Sequence, residues 1–384
     1  MRRFFPMRIA VFDYKVVPTN PIGSCHLRML QGLCQEHEFT VFAVEFENPC
    51  PERIRFVRVP VPTRPLAFLF VAYHLVAPLV YLLYRLRTGA RFDLVQMVES
   101  NLSFGDVSYA HFCHRAYLQR HWKEAGAKGL RGWIRWLDHW LHALVEPWVF
   151  RRVRRIVVPS QGLKRELEEM YPFTRGKIHV ISNPVDLERM TPPPDFDREA
   201  FRRERGCSPE DVVLVFVALG HFERKGLPLI LEALKELGDA RIKLWVVGGE
   251  PDLVRSWASR VREMGLEKQV SFFGMQQDVR PFLWGADTFV FPSLYEVFPL
   301  VSLEAAAAGL PLIVTPLYGV EEFMRDGETG FVVPRDSDKL QEAIAKLATL
   351  EVEKRVTMGK MAREAVRGYG IKSFVENWRR FYGF

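Results

Sequence analysis

The sequence predicts an α/β fold of two Rossmann-like, doubly wound domains that face a cleft, and three observations predict it. Short apolar runs alternate with helix-like segments along the whole chain, which is typical of βαβ units and parallel sheets. The length of 384 residues exceeds the size at which a single hydrophobic core stops growing. A proline-rich polar stretch at 191–197 cannot hold a regular element, so it separates two halves of similar length.

Each half supplies its own set of predicted elements, and the strands are apolar on both faces, as in sheets covered by helices on both sides. The first half has predicted strands at 7–12, 39–44, 54–59, 93–98, 107–112, 155–158 and 177–181, and helices at 24–36, 65–87 and 132–151. The second half has predicted strands at 212–218, 242–247, 270–273, 288–291, 312–314 and 330–333, and helices at 227–237, 253–264, 300–308 and 337–348.

These elements predict the domain boundaries. We expect an N-terminal domain over residues 1–185 and a C-terminal domain over residues 186–370. A final segment at 371–384 carries aromatic residues at helical spacing, and we expect this helix to cross back onto the first domain. In sheets of this kind, ligands bind at the carboxyl ends of the strands.

Composition narrows the class of protein. Hydrophobic residues make up 48% and charged residues 26%, which is ordinary for a globular chain. The five cysteines are scattered and show no metal-ligand spacing, which favours free thiols in a reducing, cytoplasmic setting. The formal net charge of +7 is compatible with an anionic nucleotide substrate, an anionic membrane surface or nucleic acid.

The basic excess is concentrated between Arg115 and Arg155. This segment contains ten Lys or Arg residues but only three acidic ones, and tryptophans lie among them. This pattern suits a membrane interface, and the alternative is a tryptophan stripe buried in the core behind a solvated basic face. The apolar stretch at 65–84 has roughly the length of a bilayer span. Because it contains His74 and Pro78 and lies between two strand-like segments, we predict a buried or interfacial helix.

The most informative segment is 291–309, where an apolar strand leads through a polar loop into a helix. Pro299 stands where a first helical residue is expected, four alanines favour the helix, and Gly309 ends it. The backbone amides of Phe298, Leu300 and Val301, with the helix dipole, would form a diphosphate site that needs no side chain.

Two carboxylates flank that site. Glu296 lies in the loop before the helix, and Glu304 lies one turn inside it. Because carboxylates only accept hydrogen bonds, their natural partners here are the hydroxyls of a sugar and a ribose. The alternative is that both are ordinary solvated glutamates.

A second cationic element follows the strand at 212–218. Arg224 and Lys225 stand in a strand-to-helix turn flanked by Gly220 and Gly226, and these cations suit phosphate oxygens. An Arg-Lys pair in a loop is often merely solvated, but this one falls where a ligand is expected. Gly248, at the end of another strand, would allow close approach of a backbone.

These motifs resemble those of the family 4 retaining glycosyltransferases (glycosyl transferases group 1), which adopt the GT-B fold. Seven residues separate Glu296 from Glu304, as in that family, and the Arg224-Lys225-Gly226 turn is similar to its donor-phosphate pair. The segments 155–160 and 182–186 look like its run from strand to interdomain hinge. The resemblance is strongest from 182 to 334. Val297 departs from it, since the family often has Gly or Pro there.

The resemblance implies that the first domain binds the acceptor and the second binds the nucleotide-sugar donor. It also implies a role for each matching residue in the second half. Arg224 and Lys225 would bind the diphosphate, Glu304 the ribose hydroxyls, Glu296 the donor sugar, and the backbone of 298–300 the distal phosphate.

Other positions are implied more loosely. Phe273 and Met275 match the position of the base pocket, although Phe273 or its neighbour Phe272 is also a candidate for the core. In the first half, Gly23 matches a turn at which donor phosphate and acceptor approach each other, and Ser24 is predicted to cap the helix that follows.

The first half also offers histidines after the strand at 107–112. His111 is the better match to a family histidine near the reacting sugar, and His114 is the alternative; both are also candidates for structural histidines. Glu99 is a further candidate by its position after the preceding strand. His111, Cys113 and His114 lack a fourth ligand at a suitable spacing, so we predict no metal site.

The reaction that the resemblance implies is hexosyl transfer from a nucleoside-diphosphate sugar, UDP- or GDP-linked, to a hydroxyl of a glycan or lipid-linked acceptor, with retention. No Asp-x-Asp motif follows a strand, so we predict metal independence and no cofactor beyond the donor. The alternatives are a sugar-nucleotide epimerase and a non-catalytic sugar-nucleotide-binding protein. A dehydrogenase is disfavoured because no Gly-x-Gly-x-x-Gly follows the first strand. We expect polysaccharide synthesis in the cytoplasm, a peripheral contact with the inner membrane face, and no nucleic-acid partner.

Overall fold

The chain forms two compact units in a computed structural model that describes residues 6–125 and 129–383. Unit 1 comprises Met1–Pro184 together with Ile371–Phe384, and unit 2 comprises Val185–Gly370. The division therefore falls next to the boundary expected from the sequence. Residues 1–5, 126–128 and 384, which include part of the predicted basic stretch and the last residue of the predicted C-terminal helix, lie outside the described residues.

Unit 1 is built on a parallel seven-stranded sheet of order β5-β3-β1-β6-β7-β8-β9, with a small parallel pair, β2 and β4, beside it. The strands are β1 Arg8–Phe12, β2 Lys15–Val16, β3 Glu38–Ala43, β4 Glu45–Phe46, β5 Ile54–Arg58, β6 Leu94–Val98, β7 Val107–Tyr109, β8 Arg155–Val158 and β9 Ile178–Val180. All seven strands predicted in the first half are present in this sheet. Strand β7 ends at Tyr109, three residues before the predicted end, so His111 lies in the loop that follows it.

Helices cover this sheet, and one of them corrects a prediction. The helices are α1 Pro21–Leu33, α2 Leu66–Thr88, α3 His114–Arg120, α4 Trp122–Ala125, α5 Gly129–Arg152 and α6 Gln161–Met170. The prediction that Ser24 caps the first helix is wrong. The Oδ1 of Asn20 accepts a hydrogen bond from the amide of Gly23 at 2.8 Å, so Asn20 is the N-cap and the helix begins at Pro21.

Unit 2 is built on a parallel six-stranded sheet of order β12-β11-β10-β13-β14-β15. The strands are β10 Val212–Val217, β11 Ile242–Val247, β12 Val270–Gly274, β13 Thr288–Phe291, β14 Leu312–Val314 and β15 Gly330–Val332. They coincide with the six predicted strands to within a residue at either end. Every residue of β10 and β13 is buried, as expected of central strands covered on both faces.

The helices of unit 2 are α7 Arg198–Arg203, α8 Phe222–Lys225, α9 Leu227–Leu237, α10 Pro251–Glu263, α11 Arg280–Gly285, α12 Leu300–Ala307, α13 Ser337–Thr349 and α14 Val352–Ala365. Helix α9 begins after Gly226 and ends before Gly238, both with positive φ. At α12, Pro299 occupies the N-cap and not the first helical position, so the prediction was one residue out.

The chain ends with α15 Ile371–Tyr382, which packs in unit 1 as the sequence predicted. Its aromatic face, including the fully buried Trp378, belongs to the hydrophobic core around β1 and α1. The hydroxyl of Tyr382 donates to Gln96 Oε1 at 2.8 Å inside that core. At the rim, Arg379 binds both carboxylate oxygens of Glu36 at 2.7 Å.

Candidate functional site

The candidate site in unit 2 is formed by two loops that follow neighbouring strands, β10 and β13. Gly226, directly after α8, has φ of 91°, and a Cβ atom there would lie 2.2 Å from the carbonyl oxygen of Pro292. Only glycine allows this approach without displacement of the backbone. The amide of Leu294, in the loop after β13, also donates a hydrogen bond to the carbonyl of Arg224 at 3.0 Å. This bond connects the two loops.

Arg224 and Lys225 meet the segment that leads into α12. Arg224 Nη1 donates to the carbonyl of Tyr295 at 2.6 Å and to Glu296 Oε1 at 3.3 Å. Lys225 Nζ donates to the same Oε1 of Glu296 and lies 5.1 Å from the centroid of the Phe291 ring. The cations and the loop before α12 are therefore in direct contact, as the sequence predicted from their positions at strand ends.

The cluster is largely shielded from water and carries an excess of positive charge. The side chains of Arg224 and Lys225 are each 17% exposed and that of Glu296 is 14% exposed. Burial alone would raise the pKa of Glu296, but the charges of Lys225 and Arg224 outweigh it and hold the pKa below its ordinary value. Burial lowers the pKa of Lys225. Two cations against one carboxylate leave one positive charge to attract an anion.

Ser293 is a member of this cluster that sequence reasoning missed. Its Oγ donates to Glu296 Oε1 at 2.8 Å, and its carbonyl accepts a hydrogen bond from Thr315 Oγ1 at 2.6 Å. The only signal in the sequence was a hydroxyl residue three positions before Glu296 in the same loop. Arg224, Lys225 and Ser293 thus all donate to the same oxygen of Glu296, Oε1.

The N-terminus of α12 follows this cluster immediately. Helical hydrogen bonding begins with the amides of Ser302 and Leu303, which donate to the carbonyl of Pro299 at 3.1 and 3.4 Å. The amides of Leu300 and Val301 precede these bonds and belong to the positive end of the helix dipole. Glu304 lies one turn further along and is half-buried.

Phe298 is only 5% exposed, and its ring closely approaches Gly319, where a Cβ atom would lie 2.3 Å from it. Only the backbone of Phe298 is therefore suited to a ligand.

The remaining candidates of unit 2 lie at the same edge of the sheet, because all six strands are parallel. Gly248 has φ of 106°, and a Cβ atom there would lie 2.0 Å from the carbonyl oxygen of Ala218, which explains the glycine by packing. Gly220 has open space around its Cα, with Leu253 nearest at 4.0 Å. Met275 is 48% exposed. Phe273 packs on Phe282 at 4.8 Å between ring centroids, so its ring is engaged with the core.

In unit 1, His111 and His114 have different environments. His111 is buried, its Nε2 has no hydrogen-bond partner among the described residues, and burial lowers its pKa to about 3. His111 is therefore a neutral imidazole, and Nε2 is its nitrogen without a partner among the described residues. His114 is the first residue of α3, and its Nε2 lies 3.3 Å from Glu99 Oε2 while its Nδ1 lies 2.9 Å from His139 Nδ1. The sequence did not decide between these two histidines, and the structure shows that their surroundings differ.

Unit 1 also contains a group of residues that could hold a metal ion. The potential ligand atoms of Glu99, His114 and His142 all lie within 4.8 Å of one another. The rings of His114 and His142 are stacked 5° from parallel with centroids 4.1 Å apart. Ring nitrogens bind a metal in the plane of the ring, so two parallel rings at this spacing cannot share one ion without a rotation. Glu99 has φ of 49°, a rare conformation for a non-glycine residue.

Gly23 lies in the first turn of α1 and not in a loop. A Cβ atom there would lie 2.0 Å from the carbonyl oxygen of Lys15, so the glycine is required where α1 meets β2. Its amide already donates to Asn20. The structure therefore explains Gly23 by packing, and a contact with a donor phosphate stays a prediction.

Two models of known protein families match the chain. One described as glycosyl transferases group 1 matches residues 211–349, which contain the whole cluster in unit 2. Another, described as glycosyltransferase family 4, matches residues 25–189, most of unit 1.

Curated proteins match at modest identity. An uncharacterised glycosyltransferase of Methanocaldococcus jannaschii is 25% identical, with 95% of this chain and 98% of that protein covered. The lipopolysaccharide core biosynthesis glycosyltransferase LpsE of Rhizobium meliloti is 31% identical over 56% of this chain and 63% of LpsE. The chain thus spans less than two thirds of the second relative.

Solved structures match over nearly the whole chain. WaaG, a glycosyltransferase involved in lipopolysaccharide biosynthesis, gives a TM-score of 0.78 at 20% identity over 97% of this chain and 99% of WaaG. Anabaena HepE in complex with UDP and glucose gives a TM-score of 0.70 at 18% identity over 98% of this chain and 99% of HepE. At these identities the likeness concerns the fold.

Proposed function

This chain belongs to the family 4 glycosyltransferases and has their GT-B fold; from that premise we propose that it moves a hexosyl group from a nucleoside-diphosphate sugar to an acceptor hydroxyl with retention at the anomeric carbon. The observation that carries the proposal is the contact of Arg224 and Lys225 with the Glu296 loop at the start of α12. One excess positive charge and the helix amides suit two linked phosphates.

The difficult part of such a transfer is the negative charge that develops on the leaving diphosphate. Arg224, Lys225 and the amides of Leu300 and Val301 are already fixed in place, so they would stabilise that charge with little reorganisation. Glu296 Oε1 contacts both cations and holds them beside the loop that leads into α12. When the donor is bound, Glu296 Oε2 would accept a hydrogen bond from a sugar hydroxyl, while Oε1 keeps its contact with Ser293.

The roles proposed for the other residues come from the resemblance, and their exposure and position are compatible with them. Glu304, half-buried on α12, would accept hydrogen bonds from the ribose, and Met275 and Gly220 would line the side of the base. His111 stays neutral at any physiological pH because of its low pKa. It would therefore act by orienting a hydroxyl through Nε2 and not as a cation.

We also propose a donor, a class of acceptor and a location in the cell. HepE, which has been seen with UDP and glucose, supports a UDP-linked donor, with GDP as the other base to test. Relatives in lipopolysaccharide synthesis support a glycan or lipid-linked acceptor. Five free thiols suit a cytoplasmic location, although Cys34 Sγ and Cys50 Sγ lie only 3.0 Å apart.

The first test is a panel of UDP-, GDP- and ADP-sugars, read by thermal unfolding and then by turnover. The correct donor at 100 times its Kd is expected to stabilise the protein by about 2.7 kcal/mol, because it binds only the folded state. Turnover with a glycan acceptor should then release the nucleoside diphosphate. A donor converted to another sugar nucleotide without acceptor would indicate an epimerase, and binding without any turnover would indicate a non-catalytic protein; either result contradicts the proposal.

A second test concerns metals. Because Arg224, Lys225 and the α12 amides supply the positive charge that Mg²⁺ or Mn²⁺ supplies in metal-dependent enzymes, transfer is expected to proceed unchanged in EDTA. The measurement is the initial rate before and after dialysis against EDTA. Loss of the rate, with recovery on addition of Mg²⁺ or Mn²⁺, would contradict this prediction.

A further inference from the structure

Unit 1 exposes an unusually apolar surface on two long helices. Here, the α2–α5 face denotes the exposed apolar stripes over 66–86 of α2 and 130–148 of α5. Leu75 and Leu79 of α2 are 66% and 60% exposed, and Trp133 and Trp140 of α5 are 59% and 39% exposed. Apolar exposure of this extent marks an interaction site. The alternative of a tryptophan stripe buried in the core is therefore wrong.

The two stripes belong to one surface because α2 and α5 pack against each other. Phe70 of α2 and His142 of α5 lie 4.1 Å apart between ring centroids on the inner side. Along α2 exposed apolar residues recur every three or four positions, which is one face of a helix: Phe68, Val71, Leu75, Leu79, Leu82 and Leu86. At 1.5 Å per residue, each stripe is about 30 Å long.

By length and composition alone, α2 could cross a bilayer. However, the face of α2 opposite the exposed stripe packs against the rest of unit 1. The hydroxyl of Tyr73 donates to the carbonyl of Phe42 in β3 at 2.8 Å, and the ring of Tyr84 packs against Phe42 at 5.6 Å. A helix that spans a membrane would have to leave the sheet and break these contacts. These contacts therefore favour a helix that lies along a surface over one that crosses a bilayer.

Among the described side chains of α2 and α5, the exposed charges are of one sign. The last turns of the two helices carry Arg85 and Arg87 on α2 and Arg151 and Arg152 on α5. Helix α2 contains no acidic residue, and the two acids of α5 are half-buried or buried. The guanidinium of Arg152 lies 3.5 Å from the centroid of the Trp148 ring, so cation and indole form one element.

We propose that the α2–α5 face lies in the interface of an anionic lipid bilayer, with its leucines and tryptophans below the headgroups and its arginines against the phosphates. Tryptophan settles at the headgroup level, and in-plane amphipathic helices bind by apolar burial together with attraction to anionic lipid. A second copy of the chain fits less well, because an isologous contact would bring like arginines together with no exposed carboxylate on either helix. Resting on the proposed function, an acceptor that binds to unit 1 would itself be membrane-anchored.

The test measures binding to vesicles without any sugar donor, so its outcome does not depend on catalysis. The full chain is floated with vesicles of phosphatidylcholine containing phosphatidylglycerol and with vesicles of phosphatidylcholine alone. We expect partition into the anionic vesicles that falls as salt rises, and quenching of tryptophan fluorescence by lipids brominated on their acyl chains. Absence of anionic binding, or binding without quenching, would overturn the proposal.

Variants identify the surface. Leu75→Glu combined with Leu79→Glu, and separately Trp140→Glu, should each lower the partition about tenfold or more, because each replaces inserted apolar area with charge. The matched control is Val352→Glu with Met361→Glu on α14, which changes exposed apolar residues of unit 2 and should bind as the unchanged chain does. Circular dichroism checks folding, and the quenching measurement needs no variant. Three results would contradict the proposal. The α2 variant could bind vesicles as well as the control does. The unchanged chain could form a dimer that the variant loses, without binding vesicles, or it could resist extraction by carbonate.

Discussion

Arg224→Ala and Lys225→Ala are each expected to lower kcat/KM by about 10²–10³, the usual effect of removing one preorganised donor from a site of developing charge. Both side chains contact Glu296, and each is only 17% exposed, so water cannot replace them well. The loss should fall mainly on kcat if the contact strengthens as the diphosphate leaves. The measurement is steady-state transfer with the donor identified by thermal unfolding.

The control for this experiment is Arg255→Ala, which removes an arginine of α10 in the same unit that is 72% exposed and forms an ion pair with Asp252 one turn earlier. It should retain the activity and unfolding temperature of the unchanged chain. Arg224→Lys and Lys225→Arg separate charge from geometry, because lysine cannot reproduce the fork of arginine. Near-normal turnover in both alanine variants would remove the phosphate site from the proposed function.

Glu296→Gln is expected to destabilise unit 2 by about 3 kcal/mol at neutral pH, because it leaves two largely buried cations without their carboxylate. Transfer should fall as well, by about tenfold or more, since a hydrogen bond to a charged group is worth about 1.5–3 kcal/mol. Urea unfolding at pH 7 measures the first effect and steady-state kinetics the second. The conservative control is Glu353→Gln on the exposed surface of α14.

The pH dependence of this variant has a defined sign. The pKa of Glu296 is lowered in the folded chain, so its ionised form stabilises the fold above the ordinary carboxyl pKa, and this contribution is lost as the pH falls through the lowered value. The difference in stability between the unchanged chain and Glu296→Gln should therefore shrink as the pH falls below about 4.3. A difference that stays constant from pH 7 to pH 3 would show that folding does not lower the pKa of Glu296.

The fold could be predicted from the sequence because its strands are buried on both faces. Such strands read as continuous apolar runs, as in β10, and parallel sheets need helices between them. The contact between Arg224 and the loop of Glu296 could be predicted for the same reason, because both come directly after a strand and parallel strands end at one edge. Short helices such as α7 and α11, six residues each, carry too few turns for a periodic signal and were missed.

Other features depend on tertiary contacts that no local pattern encodes. Ser293 belongs to the cluster only because its Oγ turns towards Glu296. The alternatives for His111 and His114 were separated by their neighbours, since Glu99 and His139 reach one ring and not the other. Helical spacing identified the stripe on α5, but whether Trp133 faces the core or the solvent is decided by what packs beside the helix.

The path of the chain makes unit 2 an insertion within unit 1. The amide of Val185 donates to the carbonyl of Tyr369 at 2.9 Å, so the chain enters and leaves unit 2 side by side. During synthesis, unit 2 is therefore complete before α15 has been made, while the core of unit 1 still lacks Phe374 and Trp378. The core of unit 1, although most of its chain is translated first, can therefore be completed only after unit 2 has been synthesised.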